Sequence, residues 1–523
     1  MAITTACDIA YYENDRTEMK DLSDKCFSEG HSPHNTIMLR AKYLYNSFTS
    51  LSDWIETSIG HDINNGLYKT KVDAIRAYEA YYERSYYLVR TAFDLCNEYI
   101  SSDSIPDDID RAYFDGFHLS LLVNYGNLLL QTGRIIKSIE ILSAHSQVDF
   151  PMLLGNLGLK YMEYVKLDYD GGHQTITCYH AYHLLKRAIL SEKAYPERDE
   201  ASPAFEMGAK QLVNMLGMEY LEQKYTIKDF LDLPQKMGRK EKEYKRWCAE
   251  NILSLNTLND VFTSYEVGYD PIHLPNIVAK VSEGIIPHYH GLFNQIKQEY
   301  VSARYFAYDG LTNRNTHFSD KGVYLVNTLD YPVYGLSIEK VKAAYRSVYS
   351  VFDKVSYFIN QYFEIGINKR EIDFNRLWSP KASDKKTVFD FINTNYPLLG
   401  LWWLYKDIKN KAIFDSNMHI DPVISKITSV RNAMEHRYLK ILDFFGGQAI
   451  SDSKRTDRLA DAIDFADFEA LTIALLKYAR EVIILLVLTV HVEEHNRSLS
   501  RGPNEIIPPM PTALYEDDWK RIF

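Results

Sequence analysis

At 523 residues the chain is too long for one small core, so two or three domains are expected, each burying its own apolar side chains. Its 46% apolar and 25% charged residues sit at globular averages and exclude a disordered chain, and only 24 Gly and 17 Pro favour helices. The formal charge of -11, from 59 basic and 70 acidic residues, excludes a protein that coats nucleic acid through a large positive field. A local basic cluster remains at Lys369, Arg370, Arg376, Lys381, Lys385 and Lys386, either a solvated loop or one wall of a groove. The five cysteines lie far apart without a C-x-x-C pair, which suggests neither a zinc knuckle nor a disulfide framework and fits a reducing cytoplasm. The N-terminal MAITTACDIAYYENDR does not read as a secretion signal. The longest apolar stretch, Val482 to Val490, is less than half of the roughly 20 residues that cross a bilayer, so a buried helix and no membrane contact are expected.

From about residue 35 onward apolar residues recur three and four apart, which predicts an all-α fold. Residues 35 to 100 read as two long helices, the second carrying Tyr78, Tyr81, Tyr82, Tyr86 and Tyr87, a spacing that suits packing between helices better than stacking on bases. The tract SSDSIPDD at 101 to 108 reads as a turn. The stretch from Asn124 to Ile139 resembles the first helix, turn and second-helix start of a tetratricopeptide repeat, and a second degenerate copy begins at Gly155. Gly126 and Gly158 suit close helix approach, Gly133 suits the turn, the loop LDYDGGHQT spans 167 to 175, and AYHLLKRAI at 181 to 189 closes the unit. By analogy, such helix pairs offer a concave surface for a regulatory protein or ligand. Lys236 to Lys245, WCAENILSLNTLND at 247 to 260 and the loop-rich DPIHLPNIV at 270 to 278 read as a domain junction. The pair His288 and His290 lacks the ligands to complete a metal site, and no cofactor is expected.

Asp421-Pro422 is a strong helix opening, because aspartate accepts the free N–H groups and proline tolerates the first helical position. At about 100° per residue, Val423, Ile427, Val430, Met434 and Ile441 form one stripe toward the core of a helix running to Ile441. His436 then projects roughly 180° from Ile427, with Asn432 beside it one turn earlier. Arg431 lies about 140° from His436 and either curls round toward it or pairs with Glu435 one turn on.

Arg431-Asn432-Ala433-Met434-Glu435-His436, an arginine followed by a polar residue and then a histidine on a late helix, resembles the signature of the HEPN superfamily. WCAENILSLNTLND, GLFNQIKQEYVSARY, SDKGVYLVNTLDYPVYG and PLLGLWWLYKDI add to this likeness to a bacterial HEPN branch with upstream tetratricopeptide-like repeats, over roughly residues 245 to 495. The organisation this implies is an N-terminal helical region at 1-110, tetratricopeptide-like repeats at 111-235, a junction with leading helices at 236-305, a HEPN-type helical bundle at 306-498 and a tail at 499-523. The resemblance implies a metal-independent endoribonuclease with Arg431, His436 and Asn432 as catalytic residues, completed by homodimerisation through their helix. Arg437, Lys440, Lys385 and Lys386 are candidate contacts to RNA. A toxin or anti-phage role is associated with such proteins. A non-catalytic scaffold binding RNA or a protein partner is the alternative. After Gly446-Gly447 and a polar tract, FEALTIALLKYAREVIILLVLTVHVEEHNR reads as a long apolar helix packed under the site, with His491 and His495 as surface or packing residues.

Overall fold

A computed structural model of the chain describes residues 2–101, 108–191, 198–231, 237–278, 286–409, 413–415, 419–443, 457–502 and 513–520. Its first helices are α1 Ala2–Tyr12, α2 Arg16–Gly30, α3 Ile37–Asn64, α4 Lys71–Ala77 and α5 Glu79–Ser101. Helices also form before residue 35, within the helical region expected at 1-110: Asp15 caps α2 by accepting from Thr17 and Glu18 N–H groups, each at 3.0 Å. Small serines let α2 and α3 approach closely, with Ser23 donating to the Ser47 carbonyl at 2.9 Å and Ser50 to that of Met19 at 2.7 Å. The tyrosines of the α4–α5 region pack rather than face solvent: Tyr82 and Tyr86 lie against Trp403, Tyr78 and Tyr81 against Trp54, and Tyr87 against Phe27 and His31. Most of the expected turn at 101 to 108 lies outside the described residues.

Next come α6 Asp108–Gln131, α7 Ile135–Ser143, α8 Pro151–Leu167, α9 Gly171–Leu190 and α10 Arg198–Leu216, each packed on the one before. Gly158 admits Leu185 so closely that a Cβ there would lie 2.8 Å from its Cγ. The loop expected at 167 to 175 is shorter: Asp170 caps α9 at once, accepting from Gly172 and His173 N–H groups at 2.9 and 3.0 Å. Gly133 turns the chain with φ +82°, and its backbone also lies directly on that of Gly400, so it joins two halves of the molecule as well as two helices.

After α11 Met218–Glu222, α12 Ile227–Phe230 and α13 Arg239–Glu250 the chain enters the stretch expected as a junction. It is not a loose linker, since Ser254, Asn256, Asn259 and Asp260 are buried. Arg480 donates to the Ser254 carbonyl at 2.7 Å, the Asn256 carbonyl at 3.0 Å and Asp260 Oδ1 at 2.7 Å. Arg304 likewise forks onto Asp270, both bonds 2.8 Å. The expected boundary at 305/306 falls inside α14 His288–Thr312, which continues unbroken across it.

α14 pairs with α15 Leu336–Tyr362; α16 Phe374–Trp378, α17 Tyr396–Lys409, α18 Pro422–His436 and α19 Phe465–Leu499 complete the bundle. Every residue of α19 from Tyr478 to Val490 is buried, so it passes through the centre with α14, α15, α17 and α18 around it. The main apolar core runs from Ala41 in α3 to Val490 in α19, with smaller clusters around Met19 and around Leu258. The fold is all-α, and its strands among the described residues are short: β1 Leu439–Leu442 pairs in parallel with β2 Asp461–Asp464. The Gly446-Gly447 break lies outside the described residues.

Candidate active site

The local chemistry of Asp421 starts α18, its Oδ1 accepting from the N–H groups of Val423 and Ile424 at 2.8 and 3.2 Å. The buried stripe is Ile424, Ile427, Val430 and Ala433. Val423 and Ile441 do not belong to it as the periodicity predicted: Val423 is 41% exposed, and Ile441 lies on β1 because the helix stops at His436. A one-residue offset at the cap selects Ile424, which follows the carboxylate-held turn inward. Tyr345 of α15 holds the helix laterally, its hydroxyl donating to the Ile427 carbonyl at 2.8 Å. Arg437 leaves the helical path with φ -138° and ψ -144°, so His436 occupies the last turn, where the helix dipole favours a cation.

Arg431 is half-buried on the α15 side, its guanidinium carbon 5.4 Å from the centre of the Tyr349 ring. Its Nη1 donates to Asn432 Oδ1 at 3.3 Å, and among the described residues it has no ion pair. Pairing with Glu435 is not what the chain adopts, because Arg346 of α15 takes that carboxylate at 2.7 Å and donates to the Met434 carbonyl at 3.3 Å. Asp353, the neighbouring acid, has its pKa raised, by burial first and by Asp373, against the opposing pull of a Phe374 N–H and the charges of Arg431 and Lys354. Asn432 is half-buried, while His436 is exposed and makes no hydrogen bond among the described residues. Arg431, Asn432 and His436 thus occupy the last turn and a half of one helix, with a cation that carries no carboxylate partner and an imidazole open to solvent. A guanidinium is suited to phosphoryl oxygens and an imidazole to proton transfer; no hydrogen bond joins the two side chains among the described residues.

The other expected contacts to RNA divide. Arg437 is exposed and 3.3 Å from Asp461. Lys440 must be corrected: it is buried on β1, with Asp330 and Asp457 both on its ammonium, the latter at 2.8 Å. Burial opposes its charge, yet the two carboxylates outweigh it and hold its pKa up. β1 is buried along its whole length, so this side chain lies inside, where the sequence had placed it on a helix surface. Lys385 is exposed and Lys386 lies 4.9 Å from the Phe391 ring, and no described hydrogen bond or ion pair connects either to Arg431 or His436. Within that basic cluster Arg376 is already forked onto Asp384, both bonds 2.7 Å, and Lys381 pairs with Glu371 at 2.8 Å.

Beside the site runs a segment without regular structure whose apolar residues face water, Tyr324 at 97% and Val326 at 85% exposure. It reaches the chain just beyond α18 through Tyr334, whose hydroxyl lies 3.3 Å from that of Tyr438, and β1 through Val333, whose N–H donates to the Ile441 carbonyl at 2.8 Å. Arg346, Tyr349 and Asp353 were not singled out from sequence, where nothing distinguishes them from other residues of an amphipathic helix.

Residues 281–493 match a protein-family model described as LA2681-like HEPN. The match lies within residues 245 to 495, the stretch that carries the resemblance, and supports membership of the HEPN superfamily for this part of the chain. No curated protein and no solved structure matches. The helices upstream, including those where tetratricopeptide-like repeats are expected, lie outside the matched residues.

Proposed function

We propose that this protein is an endoribonuclease that cleaves RNA through the substrate's own 2′-OH, needing no metal, and that α18 supplies its catalytic groups. The observation that carries this reading is Arg431 without a carboxylate partner on the same final turns as an exposed His436. The 2′ oxygen attacks the adjacent phosphorus as an imidazole takes its proton; the P–O5′ bond breaks, and the 5′ oxygen leaves with a proton from a second acid. The products are a 2′,3′-cyclic phosphate and a 5′-OH. Arg431 remains cationic throughout and presents fixed donors to the phosphoryl oxygens, with Asn432 orienting it.

One chain brings a single histidine to this turn, whereas the reaction uses both a base and an acid. A homodimer with two α18 ends facing each other would supply both. The exposed Tyr324 and Val326, on the segment whose Tyr334 meets Tyr438, favour such a partner, since an apolar surface of this kind is costly in water. The biological role that follows is a toxin or anti-phage effector in the cytoplasm, acting on cellular or invader RNA, with the N-terminal helices as its regulator.

The test is incubation of purified protein with total RNA in EDTA. Cyclic-phosphate ends, lost in Arg431→Ala and His436→Ala variants that still fold, support the nuclease; undiminished cleavage by the double variant defeats it. RNA methylated at the 2′ oxygen should resist. RNA bound but never cut would identify a scaffold instead.

A further inference from the structure

At the opposite end of α18 a cavity of about 340 Å³ opens between α5, α6 and α7 on one side and α18 and α19 on the other. Its walls are mostly apolar, formed by Phe93, Leu122, Ile141, Val423 and Ile473. Its polar groups form two separate sets. In the first, Lys137 of α7 and Lys477 of α19 each lie 3.0 Å from one carboxylate, Glu140. An ammonium has three donor hydrogens, and among the described residues each lysine spends one, on Glu140, so spare donors remain; the other carboxylate on this side of the cavity, Glu481, is already forked by Arg134 at 2.7 and 2.8 Å. In the second set Asp421 caps α18 while accepting from the Tyr478 hydroxyl at 2.7 Å, with Asp94 beside it.

We propose that this cavity binds a small organic anion, a carboxylate or phosphate ester with an apolar body, whose charged group displaces water from Lys137 and Lys477 and whose body lies against Phe93, Ile141 and Val423. The volume suits a compact ligand, and an apolar enclosure with a few convergent polar groups is the usual form of such a site. Excess positive charge at the lysine pair selects an anion. Asp421 and Asp94 at the other set disfavour a second anionic group at that end, although Arg90 lies 3.6 Å from Asp421, so a ligand with one anionic headgroup fits best. Charge-assisted bonds supply the affinity, while Glu140 keeps the ammonium groups fixed in its absence.

The bound ligand would touch the first turn of α18 through Val423, next to the cap that starts the helix ending in His436. Control of cleavage by the ligand therefore rests on the nuclease reading, whereas binding does not.

The experiment is calorimetric titration of the whole protein with 3-phenylpropionate, phenyl phosphate, 3-phenylpropanol and 3-phenylpropylamine. At least one anion should bind roughly ten-fold or more tightly than the alcohol and the amine. Lys477→Gln should reduce that preference by about ten-fold, and Ala474→Phe, which fills the cavity, should abolish binding while thermal unfolding shows both variants folded. No binding by any probe at millimolar concentration, equal binding of the anions and the alcohol, or full binding by Ala474→Phe overturns the proposal. Repeating the titration on His436→Ala keeps it independent of catalysis: binding retained with no cleavage by the parent protein would refute the nuclease and leave the site standing. A carboxylate preferred over a phosphate ester, or the reverse, identifies which anionic headgroup the cavity takes.

Discussion

The two ends of α18 are built on opposite principles. At its beginning Arg90 of α5 forks onto Asp407 of α17 at 2.7 and 2.8 Å, while Arg134 binds the same carboxylate and also Glu481 of α19 at 2.7 and 2.8 Å. All four side chains are buried, and each guanidinium keeps its charge because facing carboxylates outweigh the cost of burial. At its end, Arg431 has no carboxylate and His436 has no hydrogen bond among the described residues. Charges with complete sets of partners hold helices together; a charge left unpaired beside solvent is free to meet a substrate. The N-terminal helices are thus locked to the bundle, and the far end of α18 is where chemistry has room.

The largest expected effect falls at the open end. Replacing both Arg431 and His436 by alanine should lower RNA cleavage about 10⁴-fold while changing unfolding free energy by less than about 1 kcal/mol. A stability loss comparable to that at the closed end would show that these residues are structural after all. Asp407→Ala supplies the mirror image. It leaves two buried guanidinium groups short of a partner and should cost about 3–5 kcal/mol in urea unfolding, on a par with other broken buried pairs. A cost under 1 kcal/mol would mean that water enters and the lock is loose.

Lys160 of α8 sharpens the contrast because it is a buried lysine with no carboxylate partner among the described residues, donating instead to Asn127 Oδ1 at 2.6 Å. Burial lowers its pKa from 10.5 to about 7. Below about 7 both folded and unfolded chains hold this proton, and the folded state bears the full cost of an interior charge. As pH rises from 7 toward 10.5 the folded lysine is already neutral while the unfolded one still binds its proton, so its contribution to stability improves. Lys160→Met should therefore stabilise the protein by a few kcal/mol at pH 6, and by progressively less toward pH 10. An equal gain at both pH values would remove titration as the cause.

The start of α18 was legible because Asp421-Pro422 is a local signal, and the central burial of α19 because its apolar run has no polar face. Arg431 and His436 were singled out by their likeness to the HEPN signature, and periodicity could not decide whether Arg431 curls toward His436 or pairs with Glu435. The deciding group is Arg346, 89 residues earlier in the chain. The end of the helix was misjudged for a related reason. Tyr438 to Leu442 is a short apolar run compatible with helix or strand, and what makes it a strand is pairing with Asp461–Asp464 and with Pro332. Lys440 was misplaced by the same error, its partners Asp330 and Asp457 being distant in sequence. The buried pairs of Arg90 and Arg134 connect residues about three hundred positions apart, beyond the reach of any periodicity.

The smallest expected effect concerns the exposed segment beside the open end. In a monomer, Tyr324 and Val326 touch little, so Tyr324→Ser with Val326→Ser should change unfolding free energy by no more than about 0.5 kcal/mol. If a second copy covers them, the same pair of changes should shift sedimentation from dimer toward monomer and reduce cleavage in step, with activity recovering at high protein concentration. Loss of activity without dissociation would instead place these side chains on the RNA. Wild-type protein that stays monomeric at every concentration yet cleaves RNA would show that one α18 is enough, and the second proton-transfer group would then have to come from within the same chain.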